Sequence, residues 1–204
     1  YNNFNRELEE LLARDSEAKH LTVQQIIEDE QTYPNGEIVL DDKNDITLQI
    51  LDSYYYTAKA STENDYSVCA MLNQGDKHFI FTGDLEEKGE EYLIETSRNP
   101  VFAEAGFYVE LYKAGHHGSK TSSTMEMLEV LKPKIVCVCC CAGSSEYTST
   151  PENQFPTKEF IINVSQFTTQ VYVTTLCIDY KQGEFTSFNG NIVVMAIKDS
   201  DTSV

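Results

Sequence analysis

Two short stretches of the chain place chemically capable side chains where a strand gives way to a loop. One is FIFTGDLE, residues 79–86, with Asp84 after an apolar run. The other is KAGHHGSKTSS, residues 113–123, which puts His116 and His117 side by side directly after another apolar run. A carboxylate and an imidazole converging at strand ends suit zinc or manganese, which accept both ligand types. Gly83, Gly115 and Gly118 flank these groups and permit tight backbone turns around them. Each stretch also has a plainer use. Asp84 is placed to cap a helix that begins at Leu85, and the histidine pair reads equally as two solvated loop residues. A third stretch, KIVCVCCCAG, holds four of the six cysteines. Neighbours on a strand point to opposite faces, so these four do not form a tetrahedral cage, and no CxxC pair is present. They read as a fully buried central strand in which cysteine serves as a small hydrophobe.

The elements that must hold these groups alternate along the chain. Residues 2–15 read as an amphipathic helix with Leu8, Leu11 and Leu12 on one face, and Thr22-Val-Gln-Gln25 as a capping box opening a helix to about residue 30. Strands follow at 37–40 and 46–51, separated by turns at 34–36 and 41–45. Residues 53–64 form a tyrosine-rich loop whose rings either line a binding mouth or pack beneath it. A hairpin spans 67–82 with its turn at 74–77, and an acidic helix covers 85–97. A strand at 108–113 leads into the histidine pair, and a helix at 122–131 is stopped by Pro133. Then come a strand at 135–141, a loop at 143–156 and a helix at 157–164. A strand at 171–175 and a closing hairpin, turning near 182–183, run to residue 197. Interleaved strands and helices with some hairpins predict an α/β fold with a mixed sheet flanked by helices. Residues 1–197 read as a portion of a single domain and 198–204 as a flexible tail.

Composition bounds the partners. With 33 acidic and 15 basic residues the formal charge is −18, a field that repels phosphate backbones and argues against a basic, sequence-independent nucleic-acid surface. Bound divalent cations would reverse that sign locally, and the acidity also serves solubility. No apolar run reaches the ~18 residues of a membrane helix, and there is no signal-peptide pattern. Free thiols favour a reducing compartment, hence the cytoplasm. The chain opens without Met in a helix already under way, which reads as a piece of something longer.

The order TGD, then GHHGSKTSS about thirty residues later, resembles the metallo-β-lactamase fold, specifically its C-terminal half. Within that fold it is similar to the ComEC-type competence proteins, and ENDYSVCAML, residues 63–72, resembles their Asn-x-x-Ser-Val strand. The likeness covers about residues 37–165, with GHHGSKTSS its most specific element. It implies an αββα sandwich of which this chain supplies the C-terminal half, and two divalent ions, zinc or alternatively manganese, that activate water for hydrolysis of a phosphoester. On that resemblance Asp84 bridges the metals, His117 is a ligand of the second, and His116 faces the substrate. Ser119, Lys120, Thr121 and Ser122 follow in positions to hold an anion, and Asn64 stands where related proteins carry a metal-binding histidine. The implied partners are an anionic small-molecule or nucleic-acid substrate, the missing N-terminal half of the domain, and a second copy of the chain covering an exposed sheet face.

The departures are equally specific. The family's HxHxDH motif is absent, and its later Asn-x-Tyr-Gly-His-Pro segment appears as Asn153-Gln154-Phe155-Pro156-Thr157, without the histidine. One carboxylate and two imidazoles fall short of the three or four protein ligands of a complete site. Two other functions therefore stand beside phosphoester hydrolysis: a degenerate, non-catalytic module that binds a partner, and hydrolysis of a lactone or thioester on the same fold.

Overall fold

The computed structural model describes residues 2–179, 184–187 and 191–197. The closing turn near 182–183 and the tail 198–204 lie outside them. Among the described residues, eight strands form one mixed sheet in the order in which the chain makes them. They are β1 (Glu37–Asp41), β2 (Ile46–Ile50), β3 (Ala70–Gln74), β4 (Lys77–Phe81), β5 (Leu111–Lys113), β6 (Ile135–Ala142), β7 (Val171–Asp179) and β8 (Glu184–Ser187). The strands from β1 to β4 are antiparallel neighbours, those from β4 to β7 run parallel, and β8 returns antiparallel to β7. The helices are α1 (Asn2–Arg14), α2 (Val23–Glu28), α3 (Glu87–Leu93), α4 (Met125–Leu131) and α5 (Lys158–Val164).

Local chemistry sets several boundaries. The β3–β4 hairpin turns at Gly75, whose φ of +58° suits a two-residue connection. Thr22 and Gln25 make the expected reciprocal capping box of α2, through Gln25 N to Thr22 Oγ1 at 3.2 Å and Thr22 N to Gln25 Oε1 at 2.8 Å. Thr124 and Thr157 cap α4 and α5 by accepting from Met127 N and Phe160 N. Lys132, left-handed, ends α4 just before Pro133. The tyrosine loop packs beneath itself: Tyr55 is buried and edge-on to Tyr92, while the Tyr56 hydroxyl accepts from Cys69 N.

The strand order explains the layering. β4, β5, β6 and β7 advance in one direction, each step crossing through one helix. Right-handed crossovers that never reverse put all three helices on the same face. That face is the main core, where Leu85, Leu93, Met127, Leu128, Leu131, Phe160 and Val164 meet Ile80, Tyr112, Val136 and Val138 of the sheet. The alternate residues Phe79, Leu111, Ile135 and Cys137 point to the back. There they meet Ile192, Val194 and Ala196, and Lys77 Nζ donates to Ile197 O at 3.1 Å. The three crossover helices thus cover one face of the sheet. A cavity of about 620 Å³ remains between the back face and residues 191–196. The leucine face of α1 finds no core, with Leu11 and Leu12 exposed. Among the described residues no helix is long and apolar enough to cross a membrane.

Candidate functional site

The parallel strands bring the two motifs together. Phe81 and Lys113, the last residues of β4 and β5, stand in register, so the segments leaving those two strands emerge side by side, while β6 passes Lys113 at Cys137 and runs on to Ala142. Such C-terminal strand ends are where rigid sheets aim side chains into variable loops. His116 N donates to Gly83 O at 3.0 Å, tying the two exits directly. Gly83 has φ +60°, and a Cβ there would lie 2.7 Å from Ser67 Oγ. That same hydroxyl accepts from Asp84 N at 3.0 Å. Asp84 does not cap α3, whose N-cap position is Glu86, so the plainer reading of this carboxylate is removed.

His116 (φ 42°) and His117 (φ 56°) are consecutive left-handed residues, followed by Gly118 at φ +76°. A non-glycine residue in this region costs on the order of 1–3 kcal/mol and persists only where its surroundings over-determine it. Here they do. The buried Tyr112 hydroxyl accepts from Gly115 N at 3.0 Å and pairs with Ser123 Oγ at 2.9 Å. Ser119 N closes back on His116 O, and Gly118 O accepts from both Thr157 N and Thr157 Oγ1. Beneath the loop, the buried carboxylate of Glu90 accepts from Ser123 N at 2.6 Å and Thr124 N at 2.8 Å. Burial, partly offset by these two bonds, raises the Glu90 carboxyl above its ordinary range. Burial likewise raises the Tyr112 phenol, with Glu90 adding to it.

His117 is oriented by its other nitrogen. Nδ1 lies 2.7 Å from Cys139 O, and because a carbonyl only accepts, Nδ1 carries the proton. With Nδ1 so engaged, Nε2 is the nitrogen turned to Asp84, whose Oδ1 is 3.6 Å away. This exceeds a hydrogen bond. It is close to the ~3.4 Å expected between two ligands of one tetrahedral zinc at ordinary bond lengths. Both side chains are half exposed, so the donor pair faces solvent. The donor chemistry fits a divalent cation, though as part of a site. Among the described residues, no group of three or more His, Cys, Asp or Glu side chains is positioned to hold one.

His116 belongs to a second cluster. Its Nδ1 lies 3.3 Å from Thr121 Oγ1 and 3.7 Å from Glu86 Oε1. Glu86 also accepts from Asn64 Nδ2 at 3.2 Å, Thr62 Oγ1 at 3.3 Å and Thr121 Oγ1 at 3.4 Å. Asn64 is therefore directed to Glu86. Ser119 Oγ is within 3.0 Å of Thr121 Oγ1 and accepts from Thr121 N. Ser122, expected to hold an anion, is buried and donates to Leu85 O at 2.6 Å, so its hydroxyl is committed to the fold. Lys120 extends the other way and donates to Asn153 Oδ1 at 3.0 Å.

Sequence reasoning passed over three contributors. Glu86 stood within an acid-rich helix, although its spacing of two from Asp84 signals a shared side of an extended segment. Cys139 was assigned to a buried strand, yet it is exposed, and its carbonyl fixes His117. The cysteine strand is buried from Ile135 to Val138 and again at Ala142, but not over 139–141. Cys137 is pushed up to about 11 and Cys140 to about 12, both chiefly by burial. Phe155 was noted only as part of a segment that lacks the family's histidine. Its ring stands 5.9 Å from that of His116 and 6.2 Å from that of His117.

Two known proteins share part of this sequence. The chain is 30% identical over 92 residues to ComE operon protein 3 of Bacillus subtilis, an alignment covering 43% of this chain and 11% of that protein. It is 28% identical over 91 residues to Recombination protein 2 of Haemophilus influenzae, covering 45% and 10%. The matched region is about a tenth of the length of these relatives. No protein-family model matches the chain. These distant, partial likenesses agree with the competence-type resemblance carried by TGD and GHHGSKTSS.

Proposed function

We propose that this chain supplies one wall of a divalent-metal hydrolase site acting on phosphoesters, within a metallo-β-lactamase-like domain completed by further sequence. The observation that carries this reading is the His117–Asp84 pair: a ring held by Cys139 O with its free Nε2 turned to a carboxylate 3.6 Å away. Asp84 and His117 would hold the cation, which supplies charge stabilisation at a phosphoryl oxygen and lowers the pKa of water. His116, steadied by Thr121 and Glu86, contacts the phosphate or exchanges a proton with the leaving-group oxygen. Ser119 and Thr121 position that ring and border the anion. The left-handed backbone at 116–117 fixes both imidazoles before substrate arrives, which is where preorganisation lowers a barrier.

Zinc titration of the purified chain by calorimetry tests the pair. Weak binding is expected, reduced about tenfold or more by Asp84→Asn or His117→Ala, as expected on losing one ligand of an already sparse set. Equal binding by the variants would overturn the assignment. Little phosphodiesterase turnover is expected from the chain alone, and stoichiometric zinc with turnover would overturn its incompleteness. An HxHxDH motif in the parent sequence within about a hundred residues upstream of Tyr1 supports the enzyme. Its absence there favours the second reading, a partner-binding module.

A further inference from the structure

Residues 191–197 lie along the back face of the sheet as a strap. Ile192, Val194 and Ala196 turn inward onto Phe79 and Leu111, while the alternate residues Val193, Met195 and Ile197 are more than half exposed. The seam between strap and sheet is not filled, and the cavity of about 620 Å³ lies in it. Protein interiors hold few voids larger than a water, so a space of this size with apolar walls on both sides is a site rather than a packing fault. Apolar cavities stay dry and take apolar ligands. This one has length as well as volume. It reaches from Ile46, level with Lys77, to Lys113, level with Phe81. Four residues of β4 separate those levels, roughly 13 Å at the rise of a strand.

Charge marks one end of the seam. Among the described residues its lining holds a single cation, Lys113, and no carboxylate, although the chain carries 33 acidic residues. Lys113 is half-buried, and among the described residues its ammonium makes no hydrogen bond or ion pair. A partly desolvated ammonium without a partner favours an anion beside it. We propose that the seam binds a single-chain aliphatic carboxylate, with its chain between the sheet and residues 191–197 and its head on Lys113. Exposed outer residues leave the strap free to lift and admit the chain.

The test is calorimetric titration of the zinc-free chain with hexanoate, octanoate, decanoate and decanol, each below its micellar concentration. Omitting zinc keeps the outcome separate from that of the Asp84–His117 pair. Affinity should rise about fourfold per methylene from hexanoate to decanoate, the gain from burying one CH₂. Decanoate should bind about threefold more tightly than decanol, as for a partly exposed ion pair. Lys113→Met keeps the aliphatic stem and should erase that difference while leaving decanol unchanged. Ala196→Phe fills the seam from the strap side and should weaken decanoate about tenfold or more. Val193→Phe, on the outer side of the strap, should leave it unchanged. Absence of saturable decanoate binding, or equal losses in Ala196→Phe and Val193→Phe, would overturn the proposal. So would a decanoate preference that survives Lys113→Met, a reading that stands even if Ala196→Phe fails to fold.

Discussion

The two loops that frame the candidate site are built in opposite ways. Residues 114–123 are strained and locked, with two left-handed histidines held by Tyr112, Ser123, Glu90 and Thr157. Residues 143–156, on the facing side, are capped by short-range bonds such as Glu146 N to Ser144 Oγ and leave Tyr147 in solvent. The first loop must fix the direction of a lone pair, which tolerates little angular error. The second must admit a ligand, which needs room. Strain is thus concentrated where orientation matters, and the hydrogen bonds that sustain it come from the helix-covered core.

The sharpest way to break this contrast is Gly118→Ala. A Cβ at Gly118 would meet Pro156 Cβ at 2.7 Å, on a backbone with φ +76°. Backbone strain and overlap together should cost about 2–4 kcal/mol in urea unfolding. A loss below about 0.5 kcal/mol would show that the 114–123 loop is not locked as described.

Glu90→Gln addresses the support beneath the loop. It leaves one backbone N–H facing an amide N–H₂ in a fully buried position, a loss of about 1–3 kcal/mol. The pH dependence is the more specific reading. The folded pKa of Glu90 is raised from 4.5, so above pH 4.5 the native state keeps a proton that the unfolded chain has released. Unfolding free energy therefore falls as pH rises from 4.5 through the folded value, and is unaffected by this group below 4.5. The glutamine variant should lack that segment of the stability profile. Identical pH slopes in the two proteins would mean that the carboxylate is not desolvated as its burial implies.

The same contrast accounts for what the sequence disclosed. Elements governed by local chemistry were readable: the capping box at Thr22–Gln25, the hairpin turning at Gly75, the stop at Pro133, and the α/β class from the alternation of strands and helices. The order of the two motifs was also enough to bring Asp84 and His117 to one place, because parallel strands in register carry their exits together. Long-range packing was not readable. The helix expected over 85–97 shortens to Glu87–Leu93 because Leu85 is buried in the core before the helix begins. The helix expected from 122 starts at Met125 because Ser122 and Ser123 turn inward to Leu85 and Glu90. Cys139 and Phe155 act through partners 22 and 39 residues away, for which no local pattern exists.

The smallest expected effect is the most discriminating about the open loop. Lys120 Nζ donates to Asn153 Oδ1 across the two loops, but the pair is exposed. Such a contact repays little beyond the entropy of ordering a lysine, so Lys120→Ala should change stability by less than about 0.5 kcal/mol. Tyr147→Ala should be equally quiet, since its ring is largely solvated. If the 143–156 loop is an adaptable rim, neither change will alter zinc affinity, because the Asp84–His117 spacing is set by Gly83, Cys139 and the strained backbone. A loss of zinc binding in Lys120→Ala would mean instead that the rim clamps the histidine loop, and that the two loops act as one rigid body.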